Sequence, residues 1–219
     1  DSYCADSYFG LLDNQEGSFA VGGSDRMDIA IGRMPAKTVQ QAEDMVSKVE
    51  AYLDARNHGD WKNQIMLVAD DEDNNLHLND TEVMANHIAN GYPNGIVKKV
   101  FFDAYRQVSR PGGTRYPTVN RDINARMNLG ALLVSYMGHG GINGWAEERV
   151  LTIPEVQSWN SGGKLPLMVT ATCEFARYDN PTFTSAGEWA LLNPRGGAVA
   201  LMTTTRVTFT NFNFSLSTR

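Results

Sequence analysis

A three-layer α/β/α sandwich around a mostly parallel sheet is the fold the sequence predicts, on three observations. From Trp61 onward, five short apolar runs alternate with four helix patterns. The runs are continuous rather than alternating, as strands buried on both faces require. Hydrophobic residues make up 42% of the 219 and charged residues 20%, so the chain can bury a core and is not disordered.

The elements follow in order. Residues 1–59 read as part of a smaller N-terminal subdomain carrying one amphipathic helix, and residues 60–219 as the main α/β unit. "DIAIGRMP" predicts a short strand, Asp28 to Ile31, closed by proline. Thr38 and Gln41 mark a capping box, and Val39, Ala42, Val46, Val49 and Leu53 recur at helical spacing as its apolar face. That helix should stop at Gly59. The runs 65–69, 96–102, 131–137, 165–171 and 198–204 are the strands. Helices should start at Asn79 with Glu82, at Thr118, at Thr152 with Glu155, and at Ser185 with Glu188. Gly91 and Gly130 stop the first two, and Pro194 bounds the last. The Gly/Pro-rich segment 108–117 reads as a long loop, either a lid or a connector.

Charge and cysteine content narrow the function. A net charge of -6 argues against nucleic acid as the main partner. No apolar run approaches the ~18 residues of a membrane span. Cys4 and Cys173 can make at most one bridge and do not fix the compartment. The chain starts at Asp1 and stops after "SLSTR" without a closing element, so it reads as a piece of something longer.

In an open parallel sheet, ligands bind beyond the carboxyl ends of the strands. There the sequence offers "DDED" (70–73), Asp103, "GHGG" (138–141) and "TCEF" with Cys173. A thiol, a histidine and an acid are the parts of a nucleophilic site. Alone, Cys173 reads as a small buried hydrophobe and His139 as a structural histidine. Together on neighbouring strand ends they favour catalysis, and the glycines around His139 suggest close approach of a ligand. A free thiol has a pKa near ~8.5, so something must stabilise its anion. The next helix starts too far beyond Cys173 for its dipole to help, which leaves His139. The amides of Cys173 and Gly140 are the candidate oxyanion hole.

The acidic run admits three readings: an acid that orients His139, a calcium loop, or a solvated turn. Asp71, Asp73, Asn75, Asn79 and Glu82 copy EF-hand ligand spacing, but Leu76 stands where that loop needs glycine. His77 and His87 are spaced ten apart and match no metal pair. In the tail, Val207, Phe209, Phe212 and Phe214 form either an aromatic wall for a peptide or a piece of core.

"LLVSYMGHGGINGW" followed by "LPLMVTATCEFARYDNP" resembles the gingipain-type cysteine peptidases, and within them the PorU-type sortases of Bacteroidetes type IX secretion. "DSYFGLLD", "VADDEDNNLH" and "GGAVALMTTTR" share the likeness, which spans nearly the whole chain. The resemblance implies a caspase/gingipain-like sandwich and a Cys/His dyad, Cys173 as nucleophile and His139 as acid/base, with Gly140 and Cys173 as oxyanion donors. A carboxylate after the first strand of the sheet should support the histidine. Among Asp70, Asp71 and Glu72 the choice falls on Asp71. Trp145, Gly141, Asn143 and Glu174 flank the motifs as candidate substrate contacts.

The resemblance further implies an enzyme of the cell surface, associated with the outer membrane and exported by a signal outside this sequence. It would cleave the C-terminal signal domain of type IX cargo and join the new carboxyl end to an amine on anionic lipopolysaccharide, beside an outer-membrane barrel of the PorV type. No cofactor is required, with structural calcium at Asp71, Asp73 and Asn75 as an option. "EFARYD" departs from gingipains, so their Arg or Lys preference is not carried over.

Overall fold

The computed structural model describes residues 4–18 and 25–208. Its centre is a five-stranded sheet of β1 (Gln64–Ala69), β2 (Ile96–Phe101), β3 (Leu133–Met137), β4 (Leu167–Ala171) and β5 (Ala200–Thr203). The order is β5-β4-β3-β1-β2, and every neighbouring pair is parallel. All five lie within the apolar runs or one residue beyond them. The order reverses between β1 and β3, which opens a crevice beyond their carboxyl ends.

The helices are α1 (Val39–Leu53), α2 (Leu76–Gly91), α3 (Pro117–Leu129), α4 (Ile153–Ser158) and α5 (Ala186–Leu192). Alternate strand residues feed two cores. Met66, Val68, Val134 and Tyr136 pack with Val119 and Ile123 of α3. Ile65 and Leu67 face the other way, onto Met84 and Ala85 of α2. Fully burying one such side chain contributes roughly 1.5–3 kcal/mol, which explains why continuous apolar runs became the sheet. Capping boxes form at Thr152 with Glu155 and at Ser185 with Glu188, whereas at α1 Thr38 accepts the Gln41 N–H but the Gln41 side chain accepts from the Lys37 N–H, so that box is only half made.

Several expectations are corrected. Asp28–Ile31 is not a strand: the Asp28 amide bonds the Gly10 carbonyl and its carboxylate accepts from Leu12 N–H, so no ladder forms there. Segment 108–117 is not an open loop, because Val108–Arg110 and Gly113–Arg115 pair as an antiparallel hairpin across Pro111 and Gly112. α2 begins at Leu76, before Asn79, and Asn75 precedes it in the left-handed region at φ 63°. α1 ends at Leu53 rather than Gly59, since Asp54 turns extended and its carboxylate accepts the Arg56 N–H.

The apolar face assigned to α1 is also wrong. Val39, Val46, Val49 and Leu53 are exposed, whereas Met45 and Lys48 are buried. Lys48 faces α5 and its Nζ donates to the carbonyls of Ala190 (3.3 Å) and Leu191 (2.8 Å) at the end of that helix. A long methylene stem carrying a capping ammonium took the place a hydrophobe was expected to fill. Burial holds the Lys48 amine down to about 7. The unfolded chain keeps that proton to about 10.4, so between these values it binds one proton more and stability rises with pH. The expected slope is at most about 1.4 kcal/mol per pH unit. Urea unfolding at pH 7, 8 and 9 should show that rise in wild type and lack it in Lys48→Met.

Candidate active site

Three strand ends build the site. After β1, the Asp70 amide donates to the Met137 carbonyl (3.1 Å), stitching the loop to the end of β3. The Asp70 side chain is buried and accepts from the backbone N–H groups of His139 (2.9 Å) and Asp71 (2.9 Å). Tyr136, fully buried beneath it, donates its hydroxyl to the His139 carbonyl at 2.6 Å. Both backbone groups of His139 are therefore fixed from below. Burial pushes the Asp70 carboxyl up, against the pull of the His139 amide.

The His139 ring is half-exposed, and its Nε2 lies 3.1 Å from Asp73 Oδ2 and 3.5 Å from Glu72 Oε2. A carboxylate only accepts, so Nε2 is the donor in this contact, and the neutral tautomer that fits it has its lone pair on Nδ1. Among the described residues Nδ1 makes no hydrogen bond. Burial, then the nearby Asp70, raises the Glu72 carboxyl. Asp71, the acid chosen from the sequence, does not reach the histidine: its Oδ2 accepts the Tyr116 hydroxyl at 2.5 Å. The acid in its place is Asp73, turned back by three successive left-handed residues, Asp73, Asn74 and Asn75, at φ 56°, 54° and 63°. Such a run of non-glycine residues is rare and leaves no trace in hydrophobic periodicity. We expect Asp73→Asn to lower kcat/KM for peptide cleavage about tenfold through kcat, and Asp71→Asn to leave it nearly unchanged. Steady-state kinetics on one peptide would separate the two.

Cys173 lies two residues past Ala171 in β4, and His139 two past Met137 in β3; Met137 and Ala171 are register partners. Neighbouring strands run ~4.8 Å apart, so the topology brings the two segments to the same edge of the sheet. Sγ is half-buried and donates to the Thr208 carbonyl at 3.7 Å. Among the described residues no hydrogen bond joins Sγ to the imidazole, and the Cys173 N–H has no partner. Unliganded catalytic contacts are often loose in this way. The next residue, Glu174, sits at φ 51°, its N–H held by Thr204 Oγ1 (3.1 Å) and its carboxylate by Arg177 (2.9 Å).

A cavity of about 840 Å³ opens beside His139, lined by Gly141, Asn143 and Glu174 among others. These three candidate contacts thus line one cavity. Trp145 lines the same cavity, but its side chain is fully buried, with its ring stacked 4.4 Å from Tyr136 and near Phe175. Its ring supports the floor of the cavity. The glycines also serve the protein more than a ligand. A Cβ on Gly140 would lie 2.6 Å from Thr172 Oγ1, whereas one on Gly141 would meet nothing within 4 Å. Of the tail aromatics, Val207 is exposed, and Phe209, Phe212 and Phe214 lie outside the described residues.

The calcium spacing is divided among other contacts, with Asp71 on Tyr116 and Glu82 paired to Lys99. A different group converges: Asp73, His77 and His139 each bring one ligand atom within 4.8 Å of the others. The spacing of Asp73 and His77, four apart at a strand end, was the signal that could have marked it.

The profile of Peptidase family C25 matches residues 1–219. The chain belongs to peptidase family C25. This is the gingipain family of cysteine peptidases, and the parallel sheet flanked by helices is its fold. The chain is similar to the Arg-specific cysteine proteinase gingipain R (RGPB), with a TM-score of 0.74 and 18% identity over 97% of this chain and 46% of that one. It is also similar to RgpB in the complex of Porphyromonas gingivalis pro- and mature domains, at TM-score 0.69 and 18% identity over 87% and 44%. A structure described as a protease matches at TM-score 0.64 and 17% identity over 84% and 38%. The chain therefore spans less than half of each of these proteins. No curated protein matches it.

Proposed function

We propose that this C25 chain is the catalytic part of a cell-surface cysteine endopeptidase acting as a sortase of the PorU type. The observation that carries the reading is the placement of Cys173 and His139 at matched positions beyond paired strands, with an open cavity lined by His139 and by Glu174, the residue after Cys173. Cys173 attacks the scissile carbonyl while Nδ1 of His139 takes the thiol proton. Asp73 steadies the resulting imidazolium. The unpartnered Cys173 N–H, with that of Gly140, faces the developing oxyanion. The imidazolium then protonates the leaving amine, and a thioester remains.

A thioester is readily captured by an amine, which suits transfer of the cargo carboxyl end to an amine on anionic lipopolysaccharide. The sequence likeness to type IX sortases supports this step, as it supports C-terminal signal domains as substrate and a PorV-type barrel as partner at the outer membrane. Hydrolysis of the same thioester would make the protein a plain endopeptidase. Cargo cleaved in the presence of a small amine, read by intact mass, decides between them. A mass increase equal to the condensed amine supports transfer; free acid alone overturns it. An inactive binding module is the outcome if a thiol-directed acylating probe labels wild type and Cys173→Ala equally.

A further inference from the structure

We infer that Asp73, His77 and His139 form a site for a divalent transition-metal ion of the Zn²⁺ class, and that filling it switches His139 off. The first observation is geometric. Asp73 Oδ2 lies 3.1 Å from His139 Nε2 and 3.2 Å from His77 Nε2. Ligand atoms at 2.0–2.1 Å around a tetrahedral Zn²⁺ stand ~3.3 Å apart, so both separations match edges of that tetrahedron. Glu72 Oε2, 3.5 Å from the same His139 nitrogen, borders the fourth position.

The second observation is independent. His77 is only 3% exposed, yet neither of its ring nitrogens makes a hydrogen bond. The 3.2 Å approach of Nε2 to Asp73 has the distance of a bond without its alignment. A buried imidazole with both nitrogens unpaired costs free energy unless something takes its lone pair. The rings of His77 and His139 meet edge to face at 5.4 Å, and the Nε2 atoms of both approach the same Asp73 oxygen. Two imidazoles and one carboxylate are a donor set for Zn²⁺ rather than Ca²⁺.

The consequence for catalysis rests on the proposed role of His139; the metal affinity does not. A metal on Nε2 takes the lone pair of a neutral imidazole and leaves its single proton on Nδ1. Nδ1 then has no lone pair to accept the thiol proton. Displacing the ion restores the Nε2–H to Asp73 contact and frees Nδ1.

The test is titration of the metal-free protein with Co²⁺, followed by displacement with Zn²⁺. Visible d–d absorption of a four-coordinate nitrogen/oxygen site, retained in Cys173→Ala, is expected. His77→Gln should weaken binding about 10²-fold. His77 is buried, so Asp73→Ala on the exposed loop serves as the second variant and should weaken it comparably. Zn²⁺ should also slow alkylation of Cys173 and peptide cleavage in wild type but not in His77→Gln. A thiolate charge-transfer band lost in Cys173→Ala, or affinity unchanged in both ligand variants, overturns the site. A cobalt spectrum as expected with cleavage indifferent to Zn²⁺ overturns the switch. A protein without any peptidase activity would still give the spectrum, so the failure of the functional proposal is told apart.

Discussion

Cys173→Ala should lower peptide cleavage by at least about 10⁴-fold with almost no loss of stability. Sγ is half-buried, and its one hydrogen bond among the described residues is a long contact to the Thr208 carbonyl. Removing it therefore costs little packing, while the nucleophile itself has no substitute nearby. Cys4 lines a groove with Arg33 and Tyr178 and is not part of the cavity beside His139. Cys4→Ser should keep wild-type rates. Turnover of a cargo-derived peptide, paired with a thermal melt of each variant, checks both halves. Cleavage that survives in Cys173→Ala would remove the thiol from the mechanism altogether.

The contrast between what could and could not be read from the sequence has a physical basis. The strands were legible because burial on both faces demands continuous apolar runs, and "IMLVA" and "LPLMVTA" supply them. Their parallel pairing then forces 138–141 and the segment around Cys173 to the same edge, so the core of the site came with the fold. The face of α1 was not legible. Its valines repeat at the helical period, but periodicity only shows that a stripe exists; which side is covered depends on α5, and Lys48 reaches α5. The acid beside His139 was hidden for a different reason. Four carboxylates in a row carry no register information until the left-handed turn at Asp73–Asn75 sends one of them back. Asp70 then holds the histidine backbone from inside, Asp71 goes to Tyr116, and Asp73 meets the ring. Three neighbouring acids thus take three roles by direction alone.

The glycines of "GHGG" show the same division, and Gly138→Ala is the second large effect expected. A Cβ there would fall 2.4 Å from Asp70 Cβ and 2.6 Å from the Tyr136 hydroxyl. Neither is the far end of a flexible chain: Asp70 Cβ is next to backbone, and Tyr136 is fully buried. They are also the two groups that hold the His139 amide and carbonyl, so relief of the clash must move the histidine. Overpacking of this kind destabilises by about 1–3 kcal/mol. Displacing a catalytic group by about 1 Å costs about 10²-fold in rate. The loss should fall on kcat, since the cavity wall at Gly141 and Asn143 is untouched. Gly141→Ala is the complementary measurement, because its Cβ meets no protein atom. Stability should stay at the wild-type value there. A higher KM in Gly141→Ala, beside a lower kcat in Gly138→Ala, would show that one glycine yields to the protein and the other to the substrate. Wild-type kcat in a folded Gly138→Ala protein would mean that Asp70 and Tyr136 do not govern the position of His139.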